Sequence, residues 1–227
     1  MKSFRKWFGA ALVLGAVGLS AQVSATVVNA GASGNGDCTF GCVWRYQQVY
    51  SASLFGGGPI NISAVDFFAY GSAVSGSRSF TMSLSTSNNP VGGLSTTFAS
   101  NVGANNAVFA TSTFSGSYNL NDLFSFTGSF NYNPTAGDLL VDILSLDGGG
   151  GGAPYSMAST APGVYSRAYA FSSTVSADGN SNYDGYGNRT QFVFGPQSAS
   201  VPEPGTMALL GLGLLAAFGA RRKTVRT

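Results

Sequence analysis

The sequence predicts an all-β protein, an antiparallel two-sheet sandwich of jelly-roll type, and three observations lead there. Phe124, Phe126, Phe130 and Tyr132 share one parity while Ser125, Thr127, Ser129 and Asn131 hold the other, the pattern of a strand with one buried face. Between residues 26 and 200, no window of ten or more residues carries an apolar 3.6 period free of Gly or β-branched interruption, and Lys and Glu are missing there. Turn chemistry separates about nine short strand-like runs, the cadence of a sandwich or barrel.

The chain opens with Lys2, Arg5 and Lys6, an apolar run over 7–19, and Val23-Ser24-Ala25. A basic start, a short apolar segment and a small-x-small ending make a signal peptide over 1–25. Signal peptidase is then a partner in export, with cleavage expected before Thr26. Residues 26–200 form one mature domain, long enough to bury about 70% of its unfolded surface.

Cys38 and Cys42 are the only cysteines, and in an exported chain their pairing as a local disulfide is expected. A redox motif usually has two intervening residues, and a zinc site needs further His or Cys ligands that the chain lacks.

The strands follow in order. Trp44, Tyr46 and Tyr50 share a parity, so all three are expected on one buried face. Gly56-Gly57-Gly58-Pro59 is a turn before a strand over 60–70. Phe80, Met82 and Leu84 alternate with Ser79, Thr81, Ser83 and Ser85. Asn88-Asn89-Pro90 breaks the chain before short strand candidates at Thr97-Phe98 and 108–114. Strands over 124–132 and 139–146 come next. Asp147 and the five glycines after it predict a long mobile excursion over 147–163, and strands over 165–171 and 190–194 close the domain. The glycine run lacks the Lys-Ser/Thr ending of a phosphate cradle.

Asp178, Asn180, Asn182 and Asp184 place oxygen-bearing side chains at alternate positions, a tentative calcium or ligand loop. Tyr183 stands where a calcium loop of the EF-hand type wants Gly, and Arg189 where it wants an acid, so no cofactor is expected and calcium is the one alternative. The same stretch offers Tyr183, Tyr186, Asn182, Asp184 and Asn188 as sugar contacts.

Charge and composition exclude several functions. Seven of the eleven basic residues lie in the two ends, which leaves four arginines against eight aspartates, near −4, in residues 26–200. No basic cluster remains for nucleic acid. The chain has no histidine, which removes Ser-His-Asp and Cys-His catalysis and the common zinc hydrolases. Glycoside hydrolysis would need two aspartates roughly 5 to 9.5 Å apart. Asp138 and Asp142 fall on one strand face about 13 Å apart, too far to cooperate.

The C-terminus has three blocks: Val201, Pro202, Glu203 and Pro204; an apolar run over 206–220; and Arg221, Arg222 and Lys223. The prolines fix an extended, readable segment. Fifteen helical residues rise about 22 Å, short of a hydrocarbon core of about 30 Å, and the basic stop stays cytoplasmic. Glu203 is the only glutamate in the chain.

Residues 201–227 resemble the PEP-CTERM sorting signal of Gram-negative bacteria that make exopolysaccharide. The resemblance implies transient inner-membrane anchoring through a hydrophobic sorting helix, cutting near the Pro-Glu-Pro element by a membrane-embedded exosortase, and transfer to the cell surface or extracellular matrix. Arg45-Tyr46-Gln47-Gln48-Val49-Tyr50, Tyr132-Asn133-Pro134, Gly137-Asp138-Leu139-Leu140-Val141-Asp142-Ile143 and Thr190-Gln191-Phe192 resemble a recurrent class of proteins bearing this signal. That class supports a β-sandwich and supplies no catalytic residues. The expected function is a non-enzymatic surface or matrix protein with extracellular polysaccharide as partner. The alternatives are a lectin-like carbohydrate-binding module and a glycan-active hydrolase.

Overall fold

The computed structural model describes residues 24–149, 155–178 and 183–197. Thirteen strands appear in the described residues: β1 Thr26–Ala30, β2 Asn35–Asp37, β3 Arg45–Tyr50, β4 Ile60–Phe68, β5 Ser72–Thr86, β6 Ala107–Tyr118, β7 Leu123–Tyr132, β8 Leu139–Ser145, β9 Ser156–Thr160, β10 Tyr165–Ala170, β11 Tyr183–Asp184, β12 Tyr186–Asn188 and β13 Thr190–Pro196. They form an antiparallel four-stranded sheet, β1-β13-β4-β7, and an antiparallel six-stranded sheet, β11-β10-β3-β8-β5-β6. A third sheet, β12-β9-β2, has three short strands. The sequence pattern had announced the two larger sheets and not the third.

The alternation in β7 is realised in full. Phe124, Phe126, Phe130 and Tyr132 are buried, and Ser125, Thr127, Ser129 and Asn131 are exposed. Phe80, Met82 and Leu84 of β5 are likewise buried. The two larger sheets meet ring to ring: Tyr50 of β3 packs edge-on against Phe192 of β13 at 4.8 Å, and Phe114 of β6 against Phe126 of β7 at 5.3 Å. Each such buried ring contributes about 1.5–3 kcal/mol of transfer free energy. Phe55, on a 3-10 turn over Ala52–Phe55, plugs one end of the core against Tyr132, Phe192 and Phe194.

β3 and β8 are buried on both faces. Tyr46, Gln48 and Tyr50 face inward. On the outward side Val49 and Leu140 pack beneath Leu94 and Phe98 from the loop that follows β5. That loop contains a 3-10 turn, Phe98–Asn101, so the strand expected at Thr97-Phe98 is a correction: only an isolated bridge from Thr97 to Ser176 forms. Phe98 is buried as a lid on the sheet rather than as a rung of it.

Two other expectations are corrected. Trp44 shares the parity of Tyr46 and Tyr50, yet it is 39% exposed, just before β3 begins at Arg45. The excursion over 147–163 contains β9, whose Ser156, Met157, Ala158 and Ser159 are buried. β9 lies between β2 and β12, a tertiary pairing that the preceding glycines hide. An isolated bridge from Ala69 to Ser156 and the short run from β12 into β13 attach the third sheet to the four-stranded one. Together they cover the six-stranded sheet.

Candidate functional site

The expected sorting residues, Val201, Pro202, Glu203, Pro204, Arg221, Arg222 and Lys223, lie outside the described residues, as do residues 1–23, Asn180 and Asn182. Among the described residues no helix is long and apolar enough to cross a membrane. β1 begins at Thr26, the residue expected to follow the signal peptide. β13 ends at Pro196, next to the tail.

Cys38 and Cys42 are joined in a disulfide with a Cα separation of 5.4 Å. A single helical turn, Thr39–Cys42, brings them together, with Cys42 N donating to Cys38 O at 2.8 Å. This turn forms one wall of a cavity of about 140 Å³ at the end of the sandwich, whose lining includes Asp37, Thr39, Val43, Arg167, Tyr169 and Phe171. Arg167 Nη1 donates to Asp37 Oδ2 at 2.6 Å, with the two side chains 8% and 21% exposed. The guanidinium lies 4.9 Å from the Tyr169 ring and 4.5 Å from the Tyr186 ring. Thr39 Oγ1 donates to Asp37 Oδ1 at 3.2 Å. The charged pair is thus held by planar groups on two sides and by a hydroxyl, with few rotamers open to it.

Behind the cavity is an uncharged network. Gln48 Nε2 donates to Asn188 O at 3.0 Å and Asn188 N to Gln48 Oε1 at 2.8 Å. The Tyr46 hydroxyl also donates to Gln48 Oε1, and burial holds its phenol far above the usual pKa. Gly187 is required here, since a Cβ on it would come within 2.6 Å of Gln48 Oε1. On the opposite face of β3, Asn101 Nδ2 donates to Gln47 Oε1 at 2.8 Å, and Gln47 Nε2 to Asp142 Oδ2 at 3.0 Å. Arg45 grips the same carboxylate with Nε at 2.9 Å and Nη2 at 2.5 Å. The Arg-Tyr-Gln-Gln-Val-Tyr stretch therefore serves two polar networks, one on each face.

The aspartates are engaged one after another. Asp138 accepts from Ala52 N at 2.9 Å and from Val91 N at 3.0 Å; Asp147 accepts from Ser79 N at 2.7 Å, and Asp122 from Asn119 N at 2.7 Å. Asp178 accepts from Phe171 N at 2.8 Å, so this member of the expected calcium loop secures the chain end of β10. The Asp184 backbone pairs with Ser166. Among the described residues, no group of three or more acidic, His or Cys side chains is placed to hold a metal ion. Asn188, expected as a sugar contact, is fully buried, and Tyr186 lies against Arg167. Both are structural.

Sequence reasoning missed Asp37 and Arg167, which stand 130 residues apart in the chain. Their only local signal was the scarcity of arginine. It also missed a wider groove of about 440 Å³ on the outer face of the four-stranded sheet, lined by Asn61, Ser63, Ser129, Asn131, Gly195, Pro196 and Gln197. Asn61 Nδ2 donates there to Ser129 Oγ and Asn131 Oδ1, both at 2.9 Å.

No curated protein matches the chain. The PEP-CTERM protein-sorting motif matches residues 200–223, the segment that follows β13 in the chain. The chain therefore carries a PEP-CTERM sorting motif on an antiparallel all-β domain, which marks it as an exosortase substrate, exported and anchored transiently in the membrane before processing.

Proposed function

We propose that the protein is a non-enzymatic component of the cell surface or extracellular matrix, associated with exopolysaccharide in a biofilm or floc. The observation that carries this reading is the sorting motif at residues 200–223, which dispatches the chain and leaves the sandwich as the product. The commitments of the aspartates support the non-enzymatic part. Six of them, Asp66, Asp122, Asp138, Asp142, Asp147 and Asp178, hold arginine, hydroxyl or backbone N–H groups. A general acid or nucleophile must instead face substrate. No cofactor enters the proposal.

A second reading, a carbohydrate-binding module, is favoured by one observation: Phe171, 52% exposed, lines the Asp37 cavity, and Trp44, 39% exposed, hydrogen-bonds through its N to O of the adjacent Ala170, on a largely uncharged domain. Cosedimentation of the exported protein with the producing organism's own exopolysaccharide, in calcium and in chelator, tests both. Saturable binding supports association with the matrix, and its loss in chelator would assign a metal. Absence of binding in both conditions would leave a protein-binding or purely structural role.

A further inference from the structure

We infer that the cavity between the disulfide turn and β10 is a subsite for one neutral sugar unit of a glycan, with Phe171 as its stacking face and Asp37 as its hydroxyl acceptor. The inference rests on the carbohydrate-binding reading above and gives it a place.

Four features argue for this ligand. The cavity of about 140 Å³ is concave and small, and it takes lining from both charged and aromatic groups. Phe171 is 52% exposed although it follows directly on a strand whose own residues are largely buried. Its ring meets Tyr169 in a T-shaped contact at 5.3 Å, which steadies it, and its exposed area can carry the C–H face of a pyranose. Trp44 adjoins it: Trp44 N donates to Ala170 O at 2.8 Å, and a Cβ on Gly149 would touch both the Trp44 ring and the Phe171 carbonyl.

The polar wall is fixed before any ligand arrives. Asp37 is held by Arg167 and Thr39, and its carboxylate, 21% exposed, retains acceptor capacity because a carboxylate has about four lone-pair sites. Arg167 and Asp37 neutralise each other, so the cavity offers no net charge to a phosphate or a uronate. A hydroxyl donor beside an apolar ring face is what remains complementary.

Trp44 makes the test direct, since the chain has two tryptophans and the other is Trp7. In the full chain carrying Trp7→Phe, in mild detergent, Trp44 emission is followed during titration with cellohexaose, maltohexaose and laminarihexaose. Oligogalacturonate and a casein hydrolysate serve as acidic and peptide probes, each taken to about 10 mM or its equivalent, ten times a weak millimolar dissociation constant. At least one neutral oligosaccharide is expected to shift the emission saturably. Phe171→Ser should weaken that binding about tenfold or more while leaving the thermal midpoint nearly unchanged, and Asp37→Asn should weaken it similarly. No saccharide response, or a response to the hydrolysate alone, would overturn the subsite. If exopolysaccharide cosedimentation survives both substitutions undiminished, glycan binding stands but the cavity is not its site.

Discussion

Asp37 and Arg167 meet at 2.6 Å across 130 residues of chain, and this contact ties the small three-stranded sheet to the six-stranded one. β2 is only three residues long and could not hold its position by ladder hydrogen bonds alone. The pair supplies a second attachment at the cavity mouth.

Removing one partner should therefore cost more than removing both. Asp37→Ala leaves the Arg167 guanidinium, 8% exposed, without its carboxylate, and a loss of about 3 kcal/mol in urea unfolding is expected. The double change Asp37→Ala/Arg167→Met should recover part of that loss. A double variant whose loss equals the sum of the losses of Asp37→Ala and Arg167→Met would show that the pair is not coupled.

Asp66 lies in the opposite regime. Burial raises its carboxyl pKa, with a hydrogen bond from Ser125 opposing the shift. The folded state then binds the proton more tightly than the unfolded chain. Asp66 thus costs stability progressively as pH rises from the unfolded carboxylate value through the raised folded one, and the full cost persists above it. Asp66→Asn should stabilise the domain at neutral pH and flatten stability against pH in the mildly acidic range. Urea midpoints measured across that range read it, and an unchanged slope would contradict it.

The interlocked rings of the core set the scale of apolar stabilisation. Phe126 is fully buried against Phe67 and Phe114, so Phe126→Ala should cost about 3–5 kcal/mol. Val108 on β6 is 67% exposed, and Val108→Ala should stay within about 0.5 kcal/mol.

The Cys38–Cys42 bridge closes a very short loop. Replacing both residues by Ser should lower stability by less than the roughly 3 kcal/mol of a 15-residue loop. It should also loosen the cavity wall, read as faster amide exchange at Thr39 and Val43. Unaltered exchange there would mean that the turn holds without its bridge.

How much of this could be read from the sequence varied with how each residue is buried. β7 and the centre of β5 were legible because each has one face in the core and one in water, which writes a period of two into the chain. β3 and β8 are buried on both sides, under Leu94 and Phe98 as well as against the core, so their alternation is lost in a mixture of Tyr, Gln, Leu and Asp. β2, β9 and β12 are built from Asn-Gly-Asp, Ser-Met-Ala-Ser-Thr and Tyr-Gly-Asn. Only pairing with distant chain makes them strands. The Cys38–Cys42 pair was legible because it is local, whereas the cavity beside it depends on contacts over more than a hundred residues.

The most direct measurement is the intact mass, with terminal sequencing, of the protein recovered from the cell exterior. A product that begins at Thr26, lacks everything beyond the Pro202-Glu203-Pro204 element and carries one disulfide is the expected result. Recovery of external protein that still contains Arg221, Arg222 and Lys223 would contradict processing at the sorting motif, and with it the proposed route to the surface.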